Sequence, residues 1–162
     1  MIMLELAWAD THDLQEVGSW PSGHIAAAAC VAPCAFAPRA SPCGSGSSHC
    51  ETCRRNSGSS FLAFAVFPRG RFRIEQGETG HFQSSPEGRR HFCPRCGSPL
   101  FSEWSDTDSF DVYLGSLDEP HALRPGYELL WGGRAPWLGD MPGLERFEHN
   151  LPDATTRAGG AP

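Results

Sequence analysis

The sequence predicts a mainly β fold, and three observations carry that prediction. Beyond about residue 60 the apolar residues come in runs of strand length rather than helix length. Clusters of proline, glycine and serine punctuate those runs. Nowhere in that region is the 3.6-residue apolar period of an amphipathic helix sustained. At 162 residues the chain has the length of one domain with a modest core.

The elements follow in chain order. Residues 26–48 hold eight alanines, four serines, three prolines, three cysteines and two glycines, a composition with little to build a core. They read as a low-complexity or disordered linker, so residues 1–47 are expected to be an atypical N-terminal segment. Phe61 to Phe67 is an apolar, aromatic run closed by Pro68-Arg69-Gly70, which reads as a buried strand and a turn. Arg71 to Glu75 alternates polar and apolar until Gln76-Gly77 breaks it. His81 to Gln83 and Arg90 to Phe92 flank a Ser-Ser-Pro-Glu-Gly turn, the pattern of a hairpin. Leu100 to Trp104 and Phe110 to Leu114 read as two further strands joined by the polar turn Ser105 to Ser109. Tyr127 to Trp131 reads as a last strand before a Gly/Pro-rich tail, with Trp131, Pro136 and Trp137 covering the β core or, alternatively, walling a substrate pocket. The main domain is thus expected over residues 48–151, and 152–162 as a disordered tail.

Bulk properties exclude several classes. The net charge is −6 and the pI about 5.6, so there is no electrostatic footprint for nucleic acid. Mean hydropathy is −0.35, and no apolar run approaches the ~20 residues of a membrane-spanning helix. The first residues carry no basic, apolar leader pattern. Seven cysteines without such a leader favour metal ligation in a reducing cytoplasm over a disulfide framework.

Two cysteine pairs carry the chemistry. In Cys93-Pro94-Arg95-Cys96-Gly97, proline fixes one φ angle and glycine can take a positive one, as in a tight knuckle holding half of a tetrahedral zinc site. Those residues do not read as a helix start, which argues against a redox pair there. The second pair is Cys50-Glu51-Thr52-Cys53, preceded by His49 and followed by Arg54 and Arg55. With 39 residues between Cys53 and Cys93, the four thiols either meet through folding or serve two sites. Arg54 and Arg55 read as a solvated loop, with steering of an anionic thiol as the alternative. His81, His91, His121 and His149 have no motif-like spacing.

Ser48-His49-Cys50-Glu51-Thr52-Cys53-Arg54-Arg55-Asn56-Ser57-Gly58, Phe92-Cys93-Pro94-Arg95-Cys96-Gly97-Ser98 and Ser116-Leu117-Asp118-Glu119-Pro120 together resemble the glutathione-dependent formaldehyde-activating enzyme family, which also includes centromere protein V. The resemblance covers about Ser48 to Leu151. It implies an Mss4-like β-tent, antiparallel sheets pinned by zinc, with a structural and a catalytic Zn2+ site. Carried over, Cys93 and Cys96 look like half of the structural site, and Cys50 and Cys53 like two of three catalytic ligands. Ser48 stands where the third thiolate belongs, and a hydroxyl is a poorer zinc ligand. With two thiolates, His49, Ser48 or a bound thiol would have to complete the shell. The family's upstream Cys-x-Cys does not occur, and Cys30, Cys34 and Cys43 do not reproduce its spacing.

The genetic code suggests a reason for the missing pair. Read from the third base of each preceding codon, Ala26 to Ala37 admits Gly-Gly-Cys-Val-Cys-Gly-Ala-Val-Arg-Phe-Arg, the family's opening motif. Residues before about Ser48 are therefore expected to be out of frame, and the nucleotide sequence decides it. The resemblance implies a carbon–sulfur lyase or synthase acting on glutathione–formaldehyde type adducts. Its partners are a small-molecule thiol and an aldehyde, with neither nucleic acid nor membrane. Alternatives are a non-catalytic zinc-stabilised binding module and a frameshifted product that has lost its structural zinc.

Overall fold

The computed structural model describes residues 43–151, together with the backbone of two strands at residues 27–28 and 35–38. Eleven strands and one α-helix are found among the described residues. The strands are β1 (Ala27–Ala28), β2 (Ala35–Pro38), β3 (Gly44–Ser48), β4 (Leu62–Pro68), β5 (Phe72–Gln76), β6 (Gly80–Gln83), β7 (Gly88–Phe92), β8 (Pro99–Trp104), β9 (Ser109–Tyr113), β10 (Tyr127–Leu129) and β11 (Glu145–Phe147). The helix, α1 (Glu51–Ser57), lies between β3 and β4. None of these elements is a helix long and apolar enough to cross a membrane.

Eight strands form one sheet in the order β11-β10-β3-β4-β9-β8-β7-β6. Pairing is antiparallel except at β10, which runs parallel to both β3 and β11. A second, antiparallel sheet joins β1, β2 and β5. The mainly β expectation holds, and each run read as a strand beyond residue 60 is one. In the β6–β7 hairpin the Ser84 N–H donates to the Gly88 carbonyl at 2.9 Å and the Gly88 N–H to Ser85 Oγ at 2.9 Å.

Side-chain alternation along β4 divides the interior. Ala65 and Phe67 join Cys93, Leu100, Phe101 and Val112 in one core cluster. Leu62, Phe64 and Val66 join Cys53, Tyr113 and Leu129 in another. Buried on both faces, β4 needs the continuous apolar run that made it the easiest strand to read.

Three features depart from expectation. Strands occur within the stretch that composition marks as a linker, and β3 pairs along its whole length with β4. Small residues are required there: a Cβ on Gly46 would overlap the Tyr127 ring across β10. Composition counts missing apolar mass and cannot see a strand pressed by a neighbour's aromatic ring. Second, Arg54 and Arg55 lie on α1, not in a loop. The helix is seven residues long, too short to show a period, and is marked only by its ends, Cys50 as N-cap and Gly58 in the left-handed region at φ 63°. Third, Trp137 is 74% exposed and covers no core. Trp131 is half-buried, with the guanidinium groups of Arg134 and Arg146 over its ring at 4.6 and 4.0 Å. The segment 152–162 and the cysteines at 30 and 34 lie outside the described residues.

Candidate functional site

Cys50 is the last extended residue before α1, at φ −62° and ψ 148°. Its carbonyl accepts the Arg54 N–H at 3.0 Å, starting the helix. Its sulfur accepts the Cys53 N–H at 3.1 Å, and its own N–H reaches Ser48 Oγ at 3.4 Å. One helical turn on, Cys53 is buried, 8% exposed, while Cys50 stays half-buried at the mouth. Both thiols line a cavity of about 390 Å³ together with Ser48, Arg90, Tyr113 and Leu130. Leu130 is the one non-glycine residue at positive φ among the described residues, 55°, a strained turn at the cavity wall.

Arg90 supplies the cation. On β7 the burial alternates, so Gly88 and Arg90 face inward while Arg89 faces solvent. The Arg90 side chain is fully engaged. Nε donates to Ser84 Oγ, Nη1 to Ser102 Oγ and to the Tyr113 hydroxyl, each at 3.2 Å, and Nη2 lies 3.5 Å from Cys53 Sγ. Tyr113 and Ser102 are themselves linked at 2.7 Å.

The two thiols are held unequally. Cys50 is pulled down to about 5, foremost by a hydrogen bond from the Cys53 side chain, with the Cys53 N–H, Ser48 and the charge of Arg90 adding to it against burial. Cys53 is pushed well above the ordinary thiol range, because it gives its proton to that bond and because it is buried. Of the two, Cys50 is therefore the readier thiolate.

His49 turns away from this cavity. Its Nε2 lies 3.0 Å from Glu128 Oε1, and both side chains are 0% exposed. Glu128 Oε2 accepts Arg146 Nε at 3.3 Å, and the His49 ring packs edge-on to Trp131, centroids 6.0 Å apart. Hence His49 anchors the chain just before Cys50 and does not share its cavity. His91, read as a strand residue, bonds Thr79 and Glu103 and stacks on Phe101 at 4.3 Å. Arg55 pairs with Glu51 on the exposed side of α1.

The second pair is placed elsewhere. Cys93 is 0% exposed in the other core cluster, across β4 from Cys53, and Cys96 is exposed. Between them the chain turns: the Cys93 N–H donates to the Ser98 carbonyl at 2.9 Å and the Gly97 N–H to the Cys93 carbonyl at 2.8 Å, with Gly97 at φ 75°. The Cys96 and Ser98 side chains meet at 3.1 Å. Cys43 stands apart, half-buried, its thiol pushed up by burial.

Sequence reasoning missed Arg90 and the Tyr113–Ser102 pair behind it. A faint signal existed, since two adjacent arginines within a strand point to opposite faces of the sheet. If one face is covered, one of the two is buried, but the alternation says nothing about which or about its partners.

Fold and site together define a mainly β domain with a dithiol, cation-backed cavity of small-molecule size. Residues 28–133 match the family described as glutathione-dependent formaldehyde-activating enzyme, and the chain belongs to that family. At family level its function is formaldehyde-activating and glutathione-related. No curated protein is similar enough to the chain to count as a match.

Members of this family typically bind zinc. The residues of this cavity do not fit a zinc ion held by three thiolates. They offer two sulfurs and a hydroxyl, His49 is committed to Glu128, and the Arg90 cation already lies against Cys53. Among the described residues no group of three His, Cys, Asp or Glu side chains is arranged to hold a metal ion.

Proposed function

We propose that this protein catalyses the reversible addition of a glutathione-like thiol to a formaldehyde-type aldehyde, a carbon–sulfur lyase or synthase reaction, in the cavity of Cys50 and Cys53. The observation that carries this reading is that two thiols one helical turn apart line a single cavity, with the buried Arg90 guanidinium 3.5 Å from the Cys53 sulfur. Thiol addition needs a base for the incoming thiol and a proton donor for the aldehyde oxygen, and two neighbouring thiols supply both. The Cys50 thiolate accepts the proton of the incoming thiol as its sulfur bonds to the aldehyde carbon. The Cys53 thiol gives its proton to the developing alkoxide oxygen, completing the hemithioacetal. Proton transfer from Cys50 back to Cys53 then restores the pair, and the reverse sequence releases the aldehyde. Arg90 and the Tyr113 hydroxyl steady the negative charge as it moves.

The test is magnetisation-transfer NMR on glutathione and formaldehyde with the purified chain. Expected is exchange between free and adduct states faster than the uncatalysed rate, falling on the order of a hundredfold in Cys50→Ser. An unaccelerated rate, with the adduct still bound, would leave a non-catalytic binding module as the correct reading.

A further inference from the structure

We propose that Cys50 and Cys53 also form a reversible dithiol–disulfide couple, so that the chain exchanges electrons with small-molecule disulfides of the glutathione-disulfide class at this cavity.

The geometry meets each requirement of such a couple. The two cysteines are three positions apart across the start of a helix, the Cys53 N–H donates to the Cys50 sulfur at 3.1 Å, and both side chains line the same cavity. That spacing brings Cα atoms to the range a disulfide bridges without moving the backbone. Exposure is asymmetric: Cys50 stands half-buried at the mouth, where an incoming disulfide can be attacked, and Cys53 lies behind it at 8% exposure. A half-exposed attacking sulfur and a sheltered resolving one divide the exchange into two ordered steps. Arg90, 3% exposed and fixed by Ser84, Ser102 and Tyr113, lies 3.5 Å from the Cys53 sulfur, where it favours the thiolate needed for the second step. The cavity of about 390 Å³ admits one arm of the disulfide.

The exchange balances without a metal. The Cys50 thiolate attacks one sulfur of R–S–S–R, forming a Cys50–S–S–R bond and releasing RS⁻. The Cys53 sulfur, losing its proton to that thiolate, attacks the Cys50 sulfur and expels the second RS⁻. Two electrons pass from the protein to the small disulfide, and the protein keeps a Cys50–Cys53 bond. Cys93 cannot take part, being sealed at 0% exposure on the other side of β4. The couple does not rest on the aldehyde reading, but it has a consequence for it: the oxidised form holds neither thiolate nor proton and is inactive toward the adduct.

The experiment treats the reduced full-length chain with glutathione disulfide and maps thiols by peptide mass spectrometry. Expected is an intramolecular bond between Cys50 and Cys53 that dithiothreitol reverses. Cys53→Ser is expected to accumulate a mixed disulfide on Cys50 that decays on the order of tenfold more slowly or worse. A stable mixed disulfide on Cys50 of the unaltered chain overturns the proposal, as does oxidation confined to other cysteines. Stoichiometric zinc that shields both thiols from reagent also overturns it. Because the mapping is done on the unaltered chain, poor folding of a variant does not decide it. A chain that cycles without accelerating adduct exchange sustains the couple and removes the aldehyde reading.

Discussion

Cys50 and Cys53 are three positions apart, and so are Cys93 and Cys96, but the first pair opens a helix and the second closes a turn. At the helix start the Cys53 N–H donates to the Cys50 sulfur, and both side chains line a cavity with Arg90 behind them. Within the turn the backbone bonds to itself, Cys93 is carried into the core and Cys96 is left outside. Identical spacing therefore gives two cavity-lining thiols in one setting and, in the other, a core residue with an exposed neighbour. What differs is the direction the backbone gives the two Cβ atoms, which spacing alone does not encode.

The sharpest break in this comparison is a pair of alanine variants. Cys50→Ala is expected to lower the adduct-exchange rate on the order of a hundredfold while leaving the denaturation midpoint nearly unchanged. Cys93→Ala should do the opposite, costing about 2 kcal/mol in chemical denaturation by opening a cavity beside Leu100 and Phe101, with exchange intact. If both variants lose activity equally, the division between the pairs is wrong. Arg90→Met comes next. Removing the cation should slow exchange about tenfold and cost about 1–3 kcal/mol, because Ser84, Ser102 and Tyr113 lose a shared buried donor.

A pH series refines the same contrast. Cys50, held down to about 5, is ionised throughout the neutral range. Its alkylation rate should stay flat there and fall roughly tenfold per pH unit once pH drops below about 5. Cys43, pushed up by burial, should still be gaining reactivity above pH 8 to 9. Peptide-resolved iodoacetamide labelling separates the two, and a Cys50 profile rising through pH 8 would show that its neighbours do not hold the thiol down. The smallest effect is expected at Trp137→Ala, within about 0.5 kcal/mol, since that ring is 74% exposed.

Much of the fold was legible before any coordinates. β4 announced itself by a run apolar on both faces, and β6 with β7 by a turn sequence between alternating segments. β3 and α1 escaped for opposite reasons. β3 is built from glycine and serine because Tyr127 presses on it, so its composition mimics a linker. α1 is too short for periodicity, and its N-cap is a cysteine, a residue read for chemistry before structure. At the site, Cys50 and Cys53 were legible as a pair, whereas Arg90 lies 37 residues from Cys53 and Tyr113 still further on.

The sequence by itself determined the β class, the family and the identity of the thiols, because each depends on local pattern: strand-length apolar runs, turn residues and fixed short spacings. Only the tertiary structure decided which thiols line one cavity, which one is sealed in the core, and that a buried arginine lies against Cys53. Those properties arise where strands distant in the chain are laid side by side, and burial and charge proximity exist only after that packing.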